Sequence, residues 1–212
     1  MDAIEIFGMP QSNYVCTARL ACAEKGVQHR LTPARPHTPE LDSLHPAGQM
    51  PAMRHGAVTL FETQAICAYV DRAFPGPALQ PTDPLGFAQV EQWVSYINAT
   101  FQPVAMVQYA QSYYFNRLPD GSPNRPVIEA ALPKLEKLLG IFDKAVAQTG
   151  HLVGTTFTIA DMFLLPMMFY LGKLPESAEL IARKPALSRW SETHLARPAF
   201  EAVIPPPMPS RG

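Results

Sequence analysis

Gln49-Met50-Pro51-Ala52-Met53-Arg54, followed across a short hairpin by Phe61-Glu62-Thr63-Gln64-Ala65-Ile66, is the stretch whose reading decides the fold. A proline that opens a strand cannot donate to the sheet on one side, so the amide and carbonyl of Met50 are left facing outward. An extended ligand can pair with those two groups as an added strand, which is how a sheet edge holds peptide backbone without reading side chains. Glu62 and Thr63 then open a helix, where first-turn N–H groups and the positive end of the dipole favour a carboxylate and the Thr63 hydroxyl adds a donor. Glu62 supplies the opposite charge. The pattern calls for a small peptide with a carboxylate and an ammonium on one carbon, and the γ-glutamyl end of glutathione is such a group.

Working outward, the first part of the chain alternates strand and helix. A strand at 3–7 leads into a helix from about Tyr14 to Lys25, closed by Gly26 in the position that favours a left-handed cap. A second strand near 28–31 and a loop with Pro33, Pro36 and Pro39 precede the hairpin of 52–54 with 58–61 and a helix to about Phe74. Pro75-Gly76-Pro77, Pro81 and Pro84 continue neither helix nor sheet, so they mark an extended linker. Beyond it every periodic segment reads as helix: 84–114, 126–148 and the apolar run after Thr158. The expected division is a first domain at 1–77, a linker at 78–86 and an all-helical domain at 87–212.

Four motifs in order resemble the glutathione S-transferase family. Ile4-Glu5-Ile6-Phe7-Gly8-Met9-Pro10-Gln11-Ser12-Asn13 is similar to the strand, turn and catalytic serine of its serine-type classes, phi especially. Ala21-Cys22-Ala23-Glu24-Lys25-Gly26-Val27 resembles the end of the family's first helix, and His45-Pro46-Ala47-Gly48-Gln49-Met50-Pro51-Ala52 its cis-proline loop. Phe157-Thr158-Ile159-Ala160-Asp161 resembles the start of its buried sixth helix. The resemblance implies an α/β thioredoxin-like N-terminal domain plus an all-α C-terminal domain, a cis bond before Pro51, glutathione as co-substrate, a small-molecule electrophile and a homodimer.

The chemistry so implied is attack by the glutathione thiolate on an electrophilic carbon. Lowering a thiol pKa by about two units takes about 3 kcal/mol of differential interaction, which a hydroxyl donor at a helix N-terminus can supply. Ser12 is placed for that, with Asn13 as its nearest rival and Tyr14 third, because Tyr14 already lies inside the helix. His37 falls where the resemblance puts a group for the glycine carboxylate, and the Gln49 amide can donate to the same carboxylate; His45 and His55 are assigned to turns. For the electrophile, Gln102, Met106, Tyr109 and Tyr113 recur at helical spacing with Phe101 nearby, an adaptable wall of Met and aromatics. Pro103 is expected to kink that helix, with Trp93, Ile97 and Val104 on the core side. Thr158 and Asp161 read as a capping box, a structural role worth about 1 to 2 kcal/mol.

Composition narrows the partners. Over 212 residues the formal net charge is -1, and the pI is near 6.6, which gives no electrostatic reason to expect nucleic acid or an anionic membrane. No apolar run approaches the roughly 20 residues of a spanning helix and the chain starts directly as a strand, so a cytoplasmic protein is expected. Cys16, Cys22 and Cys67 form no C-x-x-C pair, which argues against a disulfide framework, a zinc site or a thioredoxin-type redox motif. No metal is expected, and the cysteines read as buried packing, with Cys16 the one that can approach Ser12. Three functions stay open from sequence: a glutathione transferase, a non-catalytic ligand-binding or interaction member of the fold, and a glutathione-dependent reductase or isomerase, the last disfavoured because position 12 is not Cys.

Overall fold

A computed structural model describes residues 3–208. Contacts divide the chain into two compact units, one made of the stretch up to Pro81 together with residues from Ala196 onward, the other spanning Thr82–Leu195. The stretch from Ala196 thus groups with the first unit, whereas the sequence reading keeps it in the helical domain; 209–212 of that domain lie outside the described residues.

In the first unit a four-stranded sheet runs in the order β2-β1-β3-β4. β1 (Ile4–Phe7) pairs parallel with β2 (His29–Thr32) and antiparallel with β3 (Ala52–His55), which turns through Gly56-Ala57 into β4 (Val58–Phe61). His55 therefore closes a strand rather than lying in the turn. As a central strand β1 buries both faces: Ile4 and Ile6 are fully buried, and Phe7 joins Ala34, Leu41, Leu44 and Ala52 in a core that Met50 edges. Glu5 shares the Phe7 face and is held by Arg30 and Thr32.

Helix α1 (Asn13–Lys25) follows β1 and ends at Gly26 with φ +73°, the left-handed cap its position predicts. It is buried on nearly all sides, through Val15, Cys16, Ala18, Leu20, Ala21 and Cys22, and packs beside α3 (Thr63–Ala73). A short α2 (Pro39–Asp42) contributes its buried Leu41 to the core around Phe7. Past α3 the proline linker is clasped rather than loose. Lys25 Nζ donates to Asp71 Oδ1 and to the Pro77 carbonyl, both at 2.9 Å, while Asp71 also accepts the Leu79 amide at 2.8 Å. The segment Pro198–Glu201 forms a last helix, α10.

The second unit is helical. α4 (Pro84–Tyr96) runs on through two π-helical stretches, Ile97–Phe101 and Pro103–Ala110, into α5 (Gln111–Tyr114). The sequence reading expects a kink at Pro103. The helix is rewound there: proline has no N–H and its ring crowds the carbonyl of residue 99, and wider i→i−5 bonds such as Gln102 N–H to Ile97 O take up the mismatch. α7 (Ile159–Leu171), apolar all round and buried except at Phe169, packs against α4, the π-helical stretch 103–110 and α9 (Pro185–Leu195), while α6 (Arg125–Val146) packs against that stretch, α8 (Pro175–Ala182) and α9. Asp161 at its start accepts four hydrogen bonds at 3.0–3.1 Å, from Thr158 N and Oγ1, Leu152 N and Trp190 Nε1. The capping box is present, and the same carboxylate also ties down the preceding loop and α9.

Candidate active site

All eight residues that the sequence reading places at the glutathione site belong to the first unit. They meet because of how β1, β3 and β4 are ordered. Pro51 directly precedes Ala52, whose partner across the hairpin is Phe61, and Phe61 directly precedes Glu62. The peptide bond between Met50 and Pro51 is cis. From the other side, the Met50 Sδ accepts the Met9 N–H at 3.1 Å, and the Met9 carbonyl accepts the Ser12 N–H at 3.0 Å. The approach is tight: a Cβ on Gly8 would stand 2.5 Å from Val15 Cγ2 and 3.0 Å from Met50 Cβ. The turn carrying Ser12 and the loop carrying the cis bond are thus fastened to each other.

Ser12 is the N-cap of α1, its Oγ accepting the Val15 N–H at 3.4 Å. Capping and donation are compatible, since a hydroxyl that accepts with a lone pair still has its own proton to give. Asn13, 9 % exposed, carries an amide Nδ2 that has no hydrogen-bond partner among the described residues. A buried donor left unpaired costs about 1 to 3 kcal/mol and is available to an incoming acceptor. Tyr14 is a poor thiolate stabiliser by comparison with an acidic phenol: burial, with the Glu62 charge adding to it, pushes its hydroxyl up to about 12. The same electrostatic link places Tyr14 in the surroundings of Glu62.

Glu62 has φ +67° and ψ 120°, a conformation rare for a residue with a Cβ, and its side chain is 72 % exposed. It precedes α3, whose first turn has no side-chain cap, and Thr63 beside it is buried. An uncapped helix start next to an outward carboxylate provides both halves of a zwitterion site. His45, read from sequence as a turn residue, stands here too. Its Nδ1 accepts the Ala47 N–H at 3.0 Å, which leaves Nε2 protonated and facing Glu62 Oε1 at 4.0 Å, with the ring tilted against Phe61. Only its position six residues before Pro51 offered a clue, since nothing in the local sequence shows which loop closes on the helix start.

His37 (φ +59°) is exposed on the loop before α2. Its N–H donates to the Gly48 carbonyl at 2.8 Å, which joins its loop to the one that carries Gln49. Gly48 has φ +59°, and a Cβ there would be 2.2 Å from Asp42 Oδ1 and 2.9 Å from His37 Nδ1, so the two loops meet only over a glycine.

Cys16 is turned away from this site. Its Sγ donates to the Val203 carbonyl at 3.5 Å, and burial pushes the thiol up to about 12, so it is no nucleophile. Cys22 and Cys67 are buried and reduced. Among the described residues no group of three or more His, Cys, Asp or Glu side chains could hold a metal ion, and no helix is long and apolar enough to cross a membrane.

In the helical unit the pocket candidates separate. Phe101 has no exposed surface and packs edge-on against Phe142 with ring centres 4.8 Å apart. Tyr109 is buried, its hydroxyl donating to Glu176 Oε2 and accepting the Ser177 N–H, each at 3.0 Å. Tyr113 also donates to Glu176 Oε2, and Arg125 Nη1 reaches Glu176 Oε1 at 2.5 Å. Met106 is buried and Tyr113 half-buried.

This combination, a sheet unit with a cis proline and a separate helical unit, defines a thioredoxin-like N-terminal domain with an all-α C-terminal domain. The family model for the glutathione S-transferase N-terminal domain matches residues 6–78 and that for the C-terminal domain residues 92–198. The chain is 32 % identical over 225 residues to glutathione S-transferase 3 of Zea mays, covering 99 % of each chain. Among solved structures, poplar glutathione transferase F1 superposes with a TM-score of 0.86 at 28 % identity, covering 96 % of this chain and 97 % of that one. The theta-class glutathione S-transferase of Xanthomonas axonopodis pv. citri, solved with glutathione bound, gives 0.82 at 28 % identity over 99 % and 100 %. The protein belongs to the glutathione S-transferase family and is a glutathione transferase.

Proposed function

We propose that the protein joins the thiolate of glutathione to a small apolar electrophile, with Ser12 holding the thiolate and Asn13 as second donor. The peptide backbone of the ligand pairs with Met50 beside cis Pro51, its γ-glutamyl carboxylate takes the start of α3 and Thr63, and its ammonium takes Glu62. His37 and Gln49 receive the glycine carboxylate. The observation that carries this reading is the fastening of the Ser12 turn to the cis-proline loop through Met9 and Met50, which puts a hydroxyl at a helix start beside an edge that can hold a peptide. Burial of Phe101 and Tyr109 makes them supports for the electrophile wall, with Met106 and Tyr113 as its contact residues; because both tyrosine hydroxyls are engaged by Glu176, ring faces rather than polar tips remain for the substrate. The protein acts in the cytoplasm as a homodimer on this reading.

The test is the ultraviolet absorbance of bound glutathione thiolate against pH in wild type, Ser12→Ala and Asn13→Ala. Ser12→Ala should keep glutathione affinity, raise the thiol pKa, and lower the rate with an aryl halide roughly ten- to a hundredfold near neutral pH, the worth of one hydrogen bond to a charged group. A titration that moves only in Asn13→Ala would transfer the role to Asn13. Wild type that neither binds glutathione nor turns over an aryl halide would overturn the proposal.

A further inference from the structure

Helix α1 has three sides to cover and the sheet and α3 cover two of them. The third is covered by chain from the far end of the sequence. Arg197 places Nε and Nη2 on Glu24 Oε1 and Oε2 at 2.6 and 2.7 Å, a two-pronged pair that fixes direction as well as distance. Phe200 and Val203, either side of the end of α10, are buried. Arg19 directs Nη1 and Nη2 to the carbonyls of Val203 and Ala202, both at 3.5 Å, at the C-terminal end of α10, where a cation is favoured. Cys16 Sγ reaches the same Val203 carbonyl. Residues 16, 19 and 24 lie on one face of α1 at helical spacing, and the first of them is one turn beyond Ser12. The tail is therefore attached along α1 from its catalytic end to its C-terminal turn.

We infer that residues 197–203 hold the start of α1 in register with the cis-proline loop, so that Arg197 is a positioning residue for the thiolate, acting through Glu24 and the helix and touching no substrate. A donor displaced by about an ångström loses much of its effect, and misplacement of that size can cost up to about a hundredfold in rate. Met50, Glu62 and Thr63 lie outside α1, on the cis-proline loop and at the start of α3, so losing the tail contact acts on the Ser12 donor before it acts on the clamp. The inference rests on the assignment of glutathione to that clamp.

It is tested on the full chain with glutathione as probe, by thiolate titration and steady-state kinetics of wild type, Arg197→Ala, Arg197→Lys and the exchanged pair Glu24→Arg with Arg197→Glu. Arg197→Ala should raise the thiol pKa by about one unit and lower kcat roughly tenfold near neutral pH while KM for glutathione stays within about twofold. Arg197→Lys, which offers one prong in place of two, should fall between, and the exchanged pair should return towards wild type. A wild-type thiol pKa and kcat in Arg197→Ala overturn the inference. If that variant does not fold, Arg197→Lys decides in the same way, a wild-type titration counting against. Wild type that shows no bound thiolate removes the glutathione assignment itself, and the inference with it, which is a different result from a thiolate that the variants leave unmoved.

Discussion

Glu62 sits at φ +67° with a Cβ, a conformation that costs on the order of 1 to 3 kcal/mol unless its surroundings enforce it. Here the enforcement comes from both sides, since β4 ends at Phe61 and α3 starts at Thr63, with Glu62 alone between them to make the turn. Glycine would relieve the strain and lose the charge. Glu62→Gly should therefore hold or raise the melting temperature while weakening glutathione binding strongly, and Glu62→Ala should weaken binding without that relief. Calorimetric affinity and thermal unfolding, measured on both variants, separate the two effects; unchanged affinity in Glu62→Ala would remove the ammonium from this carboxylate. The sequence made Glu62, Thr63, Pro51 and Ser12 legible because each opens a strand or a helix, and ends of elements have spacing rules. It hid the approach of His45 to Glu62, which arises from a loop closing and has no periodic signature.

Among the elements, α7 shows how a cap can do more than cap. Read alone, Thr158 and Asp161 predict a loss of about 1 to 2 kcal/mol on removal, but Asp161 also receives the Leu152 amide and the Trp190 indole in a fully buried setting. Asp161→Ala should cost at least about 3 kcal/mol by urea unfolding, because it strands buried donors on two other segments. A loss near 1 kcal/mol would reduce Asp161 to its capping role. Across the α4–α5 rod the sequence was right about where helix begins and ends. Helical spacing puts Gln102, Met106, Tyr109 and Tyr113 on one stripe with Phe101 nearby, and in the structure that stripe runs through π-winding at 97–101 and 103–110. Tyr109 and Tyr113, with ring centres 5.6 Å apart, converge on Glu176. Burial pushes that carboxyl up, but the hydrogen bonds from Tyr113 and Arg125 outweigh it and hold it at about 2. A depressed carboxyl contributes stability that is present above its ordinary value near 4.5 and is lost as pH falls towards 2. The gap in unfolding free energy between wild type and Glu176→Gln should accordingly be open at neutral pH and close across that window.

At the scale of the molecule, helix and strand content and their order followed from the sequence because the βαβ–ββα alternation and the proline linker are written locally. The return of the chain at residue 196 was not, because Arg197 and Glu24 are 173 positions apart and no pattern links them. Assembly belongs to this scale as well. The homodimer proposed above should appear in light scattering at micromolar concentration as twice the chain mass, and a monomer there would refute it. Lys25 is the internal counterpart: it joins α1, α3 and the linker through a pair that is nearly dry, with 4 % and 13 % of the two side chains exposed. Lys25→Met leaves Asp71 charged and short of its partner, and should destabilise by about 3 to 5 kcal/mol in urea.

The return at residue 196 also bears on how the chain is made. A ribosome delivers residues 1–81 long before 196–203, and a domain whose segments are contiguous can finish folding as soon as it emerges. The first unit is not contiguous, so α1 must wait with one side bare, Cys16 and Ala23 uncovered, until the helical unit has been synthesised in full. The unit that is begun first is thus completed last. A nascent chain halted after Pro81 should be open to protease along α1, and protection there should arrive only once translation has passed Val203.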